Sequence, residues 1–338
     1  MLNLSEEEYR SRGMHYSTLS TFERKGFDCI PTLFEHTSTP STIFGSAVDA
    51  IITGGYKTFY NNFAVINMPK LSDSLASIAL WLYERFGKAG LSFESISDDD
   101  ISDAGIANDY YVKENYRQVR IKKIKEECKK YYDILMSSDG KTVISQETFV
   151  EVEKCVNTLK TSPATKDLFS DEPKDSPIEK LYQVQLASTF DDIEYVIAID
   201  LLIIDHANKT IYPFDLKTTS GKEYNFEEHF VHWGYSIQAR LYARVILDNI
   251  SRDPDLKDYN VSDYKFVVIN KESLIPLVWK FPFTFSYGSL TLVDDDKVVI
   301  RDPFDIAKEL KGYLDSHSVV PNGIKLVGSN IISNIKLA

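Results

Sequence analysis

Three apolar runs follow one another between residues 181 and 219, and they constrain the fold more than any other part of the chain. Their sequences are YQVQLASTF, IEYVIAIDLLIID and TIYPFDLKTT. β-Branched and aromatic residues dominate each run, and turn residues separate them, which predicts three consecutive strands. A segment with helical periodicity (227–250) and two further strands, YKFVVINK and IPLVWKF, come next. This order predicts an α/β fold with a mixed sheet flanked by helices.

Most of the chain before these strands is predicted to be helical. Apolar residues recur there at helical spacing, and Ser, Thr or Gly flanks several of the segments. The predicted helices cover 15–26, 44–55, 72–88, 109–136 and 144–160, and a late helix covers 303–316.

Three segments are predicted to be irregular. Residues 1–13 and 95–105 are acidic, and residues 162–177 are rich in Pro, Ser and charge. The last of these separates an N-terminal helical region (1–176) from the α/β core and C-terminal helix (177–338). We expect the two parts to form one compact unit.

Composition narrows the classes of protein to consider. No run of about 18 apolar residues is present, so no membrane span is expected. The polar, acidic start does not resemble a secretory signal, and three widely separated cysteines favour a reducing cytoplasm. The formal net charge is -12. A nucleic-acid-binding protein with this charge would need its positive groups concentrated locally.

The second and third strands are predicted to form a hairpin that brings two aspartates together. Pairing outward from a turn at 205–210 places Asp200 opposite Asp215, and the two-residue period of a strand places Lys217 on the same face as Asp215. Pro213 within the third strand indicates an edge or a bulge there.

Two carboxylates opposite each other on a hairpin repel, and their Cβ atoms are only about 5 Å apart. A divalent cation would remove the repulsion, and oxygen ligands suit Mg²⁺ or Mn²⁺. A neighbouring lysine could orient or deprotonate a water, or neutralise charge on a phosphate. Asp200, Asp215 and Lys217 therefore form a candidate site for phosphodiester hydrolysis, although a surface hairpin with scattered charges gives the same pattern.

The order of Asp200, Asp215 and Lys217 resembles the signature of PD-(D/E)XK nucleases, in the branch that contains the RecB nuclease domain and lambda-type phage exonucleases. Three other segments resemble motifs of that branch in the expected order. HYSTLSTFERKGFDCI (15–30) is similar to its opening segment, FGSAVDAII (44–52) to its G-x-x-x-H helix, and YSIQARLYARVI (235–246) to its Q-x-x-x-Y helix. The resemblance implies a restriction-endonuclease-like core with a helical N-terminal insert.

The resemblance also implies roles for individual residues. Asp200 and Asp215 would bind the metal with the backbone carbonyl of Leu216, and Lys217 would be the catalytic lysine. Gln238 and Tyr242 would lie on a helix beside the site.

Two positions depart from the family pattern. Asp49 replaces the usual histidine of the G-x-x-x-H helix and would serve as a further metal ligand. Glutamine, either Gln183 or Gln185, replaces the glutamate usual on the first core strand, and we favour Gln185 as a supporting residue. A glutamine is a poorer metal ligand than a glutamate, so the number of metal ions is left open.

Other polar residues are candidates for contacting phosphate. Thr218, Thr219 and Lys222 follow the catalytic lysine, although an ordinary loop would have the same composition. The segment 113–130 is locally basic and interleaved with tyrosines, which predicts either a DNA-binding face or a solvated helix face.

Together these features predict a Mg²⁺- or Mn²⁺-dependent deoxyribonuclease. The favoured activity is that of a phage-type exonuclease acting on duplex DNA ends in recombination or repair, in a bacterial or phage-infected cytoplasm. A single-strand annealing protein or a helicase is the expected type of protein partner, and the oligomeric state is left open. The alternatives are a structure-specific or single-strand endonuclease, and an inactive DNA-binding protein that retains the fold.

Overall fold

The computed structural model of the chain describes residues 4–34, 38–67, 69–138, 140–288, 290–292 and 298–317. Within these ranges the chain forms eleven α-helices and ten strands. The helices are α1 (Glu6–Ser11), α2 (Tyr16–Lys25), α3 (Pro40–Asn62), α4 (Asp73–Leu82), α5 (Asp98–Ala107), α6 (Arg117–Met136), α7 (Gln146–Thr161), α8 (Lys166–Phe169), α9 (Phe226–His232), α10 (Tyr235–Arg252) and α11 (Pro303–Ser316). The strands are β1 (Phe63–Val65), β2 (Thr142–Ile144), β3 (Ile178–Phe190), β4 (Ile193–Asp205), β5 (Thr210–Thr219), β6 (Asn260–Val261), β7 (Tyr264–Asn270), β8 (Leu277–Phe281), β9 (Leu290–Leu292) and β10 (Val298–Ile300).

The central sheet contains the strands predicted from the apolar runs. Its order is β3-β4-β5-β7-β8, with β6 paired to the start of β5. β3, β4 and β5 are antiparallel, β5 and β7 are parallel, and β7 and β8 are antiparallel. Helices α9 and α10 provide the crossover that a parallel pair requires. The predicted fold class, a mixed α/β sheet flanked by helices, is confirmed.

Helices cover both faces of this sheet. On one face, α2, α10 and α11 pack against β3, β4 and β7 in a first hydrophobic cluster that includes Leu19, Leu241 and Phe304. On the other face, α3 and α7 form a second cluster that includes Val48 and Val152. Helices α4, α5 and α6 enclose a third cluster of their own. The candidate site is therefore held between two packed layers.

The side chains of β3 and β4 change faces at one point in the sheet. On β4, Ile197 and Ile199 belong to the first cluster, whereas Leu201 and Ile203, which continue the same alternation, belong to the second. Strict alternation would keep all four on one face. On β3 the ladder lacks a pair between Tyr182–Leu201 and Val184–Ile199, at the position where residues 183 and 200 are opposite each other.

Two segments predicted to be irregular are helices. α1 lies within residues 1–13. α5 begins within 95–105, at Asp98, and ends just after it, at Ala107. Each helix begins at a serine, Ser5 or Ser97, whose hydroxyl accepts a hydrogen bond from a backbone N–H three residues later. These predictions were wrong because acidic and serine-rich composition is typical of capped helix starts as well as of loops.

The other helix predictions need changes at their ends. α3 begins earlier than predicted, and its backbone is interrupted at the predicted end, Gly55 (φ 69°, ψ -176°), before the helix continues to Asn62. α6 begins only at Arg117. The helix predicted over 227–250 is two helices, because Gly234 adopts a left-handed conformation (φ 66°, ψ 34°) between α9 and α10. Helix α11 has the bounds predicted for it. Residues 318–338 of the predicted core lie outside the described residues.

Part of the basic segment 113–130 is paired with acidic neighbours. Arg117 pairs with Asp99, and Lys125 pairs with Asp98, both at the start of α5. Lys129 lies 2.5 Å from Glu94. Arg120 is fully buried and donates to the hydroxyl of Ser102 and the carbonyl of Tyr111. These contacts favour the interpretation of α6 as a helix that stabilises the insert over its interpretation as a DNA-binding face.

In the described ranges, no helix is both long and apolar enough to cross a membrane. The division into a region over 1–176 and a core over 177–338 stays a prediction.

Replacing Ser97 with alanine tests the N-cap of α5. Ser97→Ala removes the acceptor for the N–H of Asp100 and should lower the free energy of unfolding by about 1 kcal/mol, measured by urea denaturation. Ser92→Ala is the matched control, since Ser92 begins a short 3-10 helix without a side-chain cap bond. An equal loss in both variants would contradict the capping role.

Candidate active site

The site is centred on β5. Asp215 is only 2% exposed, and its Oδ2 atom lies 2.5 Å from Nζ of Lys217. The two side chains therefore share a face of β5, as their spacing predicted. Val267 and Val268 of β7 pair with Leu216 and Lys217 and fix this segment in the sheet.

Asp200 is placed differently from the prediction. The β4–β5 ladder has the predicted register, but it ends at the pair of Leu201 and Phe214. Asp200 and Asp215 are therefore not ladder partners. Instead, Oδ2 of Asp200 accepts a hydrogen bond of 2.7 Å from the backbone N–H of Leu216. The physical reason is the change of faces on β4 at residue 200, which the assumption of strict alternation did not include.

Pro213 is accommodated at a break in the pairing of β5. The parallel partner of β5 is β6 at residues 210–211 and β7 from Phe214 onward. Pro213, which has no N–H to donate, lies between these two stretches. The prediction of an irregularity at this residue is confirmed.

Gln183 connects the remaining two carboxylates. Its Nε2 atom lies 3.0 Å from both carboxylate oxygens of Asp49 and 3.3 Å from Oδ1 of Asp200. Gln183 has a φ of 51°, a left-handed conformation that is uncommon for a residue with a side chain. The distortion of β3 at this point thus coincides with the contact to Asp49 on α3.

Of the two glutamines considered, Gln183 is the one that donates to these carboxylates, rather than the favoured Gln185. Gln185 is buried on β3 opposite Ala198, and its backbone carbonyl accepts from the N–H of Leu4. A supporting role for Gln185 stays a prediction.

Two of the aspartates, Asp49 and Asp200, have raised pKa values. Burial, and then the charge of Asp215, raise the pKa of Asp49 to about 7, although the hydrogen bond from Gln183 opposes this. Burial, followed by the charges of Asp215 and Asp49, raises the pKa of Asp200 well above its ordinary value. The three carboxylates therefore share one electrostatic environment.

Lys217 is the cation of this environment. Burial lowers its pKa, but the negative charge of Asp215, followed by smaller contributions from Tyr235 and Asp200, outweighs burial, so that the pKa is raised. Lys217 is therefore protonated at neutral pH and acts as a hydrogen-bond donor and positive charge. One lysine faces three carboxylates, which leaves an excess of negative charge when all three are ionised.

Helix α10 supplies a second amide to the site. Nε2 of Gln238 donates to Oδ1 of Asp215, while Oε1 of Gln238 is buried without a hydrogen-bond partner. Tyr242, one turn later, is buried in the first cluster, where its ring meets that of Tyr264 edge-on at 5.8 Å. Gln238 thus touches the site, whereas Tyr242 packs behind it.

The residues after Lys217 form the end of β5 and a turn. The hydroxyl of Thr219 accepts a hydrogen bond of 3.0 Å from the N–H of Gly221. Thr218 lies where α3 approaches closely, since a Cβ on Gly45 would be 3.1 Å from its hydroxyl oxygen. Lys222 is exposed, with Nζ 5.5 Å from the ring centroid of Tyr224. Contacts of these residues with phosphate stay predictions, as does metal binding by the Leu216 carbonyl.

Two tyrosines that the sequence analysis did not assign to the site lie beside Lys217. The ring centroid of Tyr235 is 5.0 Å from Nζ of Lys217, and the ring of Tyr16 is 6.4 Å from that of Tyr235. Both belong to segments that resemble family motifs, and their positions in those segments were the only signal available in the sequence.

The carboxylates are not gathered into a preformed metal site. Among the residues that the structure describes, no group of three or more His, Cys, Asp or Glu side chains is arranged to hold a metal ion. The amide of Gln183 instead occupies oxygens of Asp49 and Asp200, and that of Gln238 occupies Asp215. Oδ2 of Asp215 is buried and has no hydrogen bond of normal geometry despite its proximity to Lys217.

Comparisons with known proteins add little to this geometry. Neither the protein-family models nor the curated protein sequences include a match to this chain. A crystal structure from Eubacterium rectale, described as a "Putative exonuclease", is similar with a TM-score of 0.43 and 12% sequence identity. The similarity covers 85% of this chain and 80% of that chain. The argument for function therefore rests on the side chains described above.

Replacing Asp49 with asparagine tests the electrostatic coupling. Because the pKa of Asp49 is raised to about 7 in the folded chain, its contribution to stability is present below about pH 4 and is lost as the pH rises to 7. Without metal, the free energy of unfolding of Asp49→Asn should exceed that of the wild type increasingly over this range, by about 1.4 kcal/mol for each pH unit.

Urea denaturation in EDTA at pH 4.5, 6 and 8 would measure this difference. The exposed Asp28 provides the control Asp28→Asn. A difference between Asp49→Asn and the wild type that does not change with pH would show that Asp49 titrates normally.

Proposed function

We propose that this protein is a metal-dependent nuclease of the PD-(D/E)XK type that hydrolyses phosphodiester bonds in DNA. The observation that carries the proposal is the contact of Lys217 with Asp215, in a sheet that also holds Asp200 against the N–H of Leu216. Buried carboxylates around a single lysine are unfavourable for folding alone, and such perturbed groups are typical of catalytic sites.

The donor set fits a hard divalent cation, Mg²⁺ or Mn²⁺. Asp49, Asp200 and Asp215 would hold it, together with the backbone carbonyl of Leu216, all through oxygen. The raised pKa values of Asp49 and Asp200 support this assignment, since a bound cation would favour their ionised forms and lower these pKa values. When bound, such an ion supplies Lewis-acid stabilisation of a phosphate and lowers the pKa of a water. The amide of Gln183 would have to release Asp49 or Asp200.

Without metal, Lys217 is a positive charge. Its raised pKa keeps it protonated at neutral pH, so its ammonium group can donate to a phosphate oxygen or orient a water. Contact with Asp215 holds the ammonium group in place. Gln238 would fix the orientation of Asp215 from α10.

The favoured substrate is an end of duplex DNA, processed in recombination or repair as by phage exonucleases. This proposal follows from the resemblance of the motifs to those of phage exonucleases. It includes a location in the cytoplasm and, as partner, an annealing protein or a helicase. The net charge of -12 and the pairing of basic residues on α6 with acidic groups support contact with a short length of DNA rather than with an extended duplex.

Digestion of matched DNA forms tests the activity. Wild type and Lys217→Ala should be compared on linear duplex, closed-circular duplex and circular single-stranded DNA with Mg²⁺, with Mn²⁺ and with EDTA. We expect the wild type to degrade only the linear form and only with metal, and Lys217→Ala to lose at least about a hundredfold in rate.

The outcomes separate the alternatives. Nicking of closed circles would favour an endonuclease, and cleavage of single-stranded circles would favour a single-strand endonuclease. Equal inactivity of both proteins, with DNA binding retained, would favour a binding protein that has lost the chemistry.

Converting Gln183 to glutamate tests the metal assignment without relying on activity. A fourth carboxylate in this site should lower the free energy of unfolding by about 1–3 kcal/mol in EDTA, because a hydrogen-bond donor becomes a charge beside Asp49 and Asp200. Mn²⁺ should stabilise Gln183→Glu more than the wild type in thermal unfolding.

Gln185→Glu is the matched control, since it places the same charge on the same strand at another buried position. It should be destabilised without a comparable recovery in Mn²⁺. An equal gain in thermal stability of both variants in Mn²⁺ would argue against a metal site beside residue 183.

A further inference from the structure

One tryptophan is exposed close to the candidate site. The chain contains three tryptophans, of which Trp81 and Trp279 are partly buried, whereas Trp233 is 42% exposed. Single exposed aromatic side chains are common on protein surfaces, and Tyr224 and Tyr287 are more exposed than Trp233, so the neighbours of Trp233 decide what it can bind.

The ring of Trp233 is held in a defined position. The guanidinium carbon of Arg24 lies over it, 4.9 Å from its centroid, and the ring of His232 meets it edge-on at 4.6 Å. Gly234, in its left-handed conformation, follows directly, and a Cβ there would lie 3.3 Å from Ile237 and 3.5 Å from Ser20. The backbone around Trp233 is therefore constrained both by conformation and by packing.

Trp233 is also connected to Lys217 through three contacts. The hydroxyl of Tyr16 donates a hydrogen bond of 2.8 Å to the backbone carbonyl of Trp233. The ring of Tyr16 neighbours that of Tyr235, over which the ammonium group of Lys217 is placed. These contacts connect the backbone of Trp233 to the lysine.

We propose that the ring of Trp233, on the face opposite Arg24, is a stacking platform for a base of the DNA strand whose phosphodiester reaches Lys217. This inference rests on the nuclease function proposed above. An aromatic face can stack on any base, and a guanidinium group adds both charge and planar contact, which together suit a polyanion with exposed bases. In this way a chain of net charge -12 gains local affinity for nucleic acid.

The occupant is an unpaired base. In a duplex both faces of an internal base are covered by its neighbours, so a duplex offers a free face only at its terminal pair, whereas every unpaired nucleotide can offer one to Trp233. The platform therefore predicts tighter binding to single-stranded DNA or to DNA with an unpaired end than to a fully paired blunt end.

Binding measured without metal tests this inference independently of cleavage. Fluorescence anisotropy in EDTA would give the Kd of fluorescein-labelled 12-nucleotide single strands, of a blunt duplex and of a strand carrying abasic positions. Trp233→Ala should weaken binding of the single strand about tenfold, and Trp233→Phe should retain most of the affinity. The abasic strand should bind the wild type more weakly and should show no further loss with Trp233→Ala.

Trp81→Phe is the matched control, because Arg85 lies over Trp81 at 4.3 Å in the helical insert, away from Lys217. It should leave every Kd unchanged. Circular dichroism would establish that each variant is folded. If Trp233→Ala does not fold, the wild type still tests the inference, because stacking requires it to bind the abasic strand more weakly than the intact strand.

Failure of the inference is distinguishable from failure of the proposed function. If the wild type binds and cleaves DNA, and Trp233→Ala binds each strand with the same Kd as the wild type, then stacking is wrong and the nuclease proposal stands. If the wild type binds no DNA of any form, both proposals are wrong. If Trp233→Ala changes the oligomeric state in size-exclusion chromatography and not the Kd, the exposed ring is a contact between copies of the chain.

Discussion

Repulsion among Asp49, Asp200 and Asp215 is the constraint on which the arrangement of the site depends. Burial strengthens this repulsion, because water no longer screens the charges. The fold offsets it with one cation, Lys217, and with two amides that approach from different elements, Gln183 from β3 and Gln238 from α10. Each amide donates to a carboxylate without adding a charge. The site therefore keeps an excess of negative charge when its three carboxylates are ionised, although hydrogen bonds partly stabilise them.

The change of faces on β3 and β4 explains how these groups meet. Regular strands would direct Gln183 and Asp200 to fixed, alternating sides of the sheet. The positive φ of Gln183 interrupts that alternation, and the two side chains reach Asp49 on α3 and the backbone of β5. A local distortion of this kind is costly and persists where surrounding packing enforces it. Here the enforcing elements are the two hydrophobic clusters on either side of the sheet.

The elements that could be predicted from the sequence are those with strong local signals. Strands β4 and β5 are continuous apolar runs between turns, and α11 has a proline in its first turn. The spacing of Asp215 and Lys217 also sufficed, since it depends on one strand alone. The contact of Gln183 with Asp49 could not be predicted, because it depends on a backbone distortion and on a helix 134 positions away. Likewise, the pairing of Arg117 and Lys125 on α6 with carboxylates of α5 depends on tertiary structure, so it could not be predicted from the sequence.

That internal pairing has a consequence for the kinetics of association. A DNA-binding protein with a free basic face is attracted to its target over long distances, and added salt slows its capture. In this chain three cations of α6, Arg117, Lys125 and Lys129, are paired with Asp99, Asp98 and Glu94, and the molecule as a whole is negative. If DNA is the substrate, the long-range force between it and a protein of this net charge is repulsive, so moderate ionic strength should accelerate their encounter. The three paired cations would release no counterions from DNA unless their ion pairs opened.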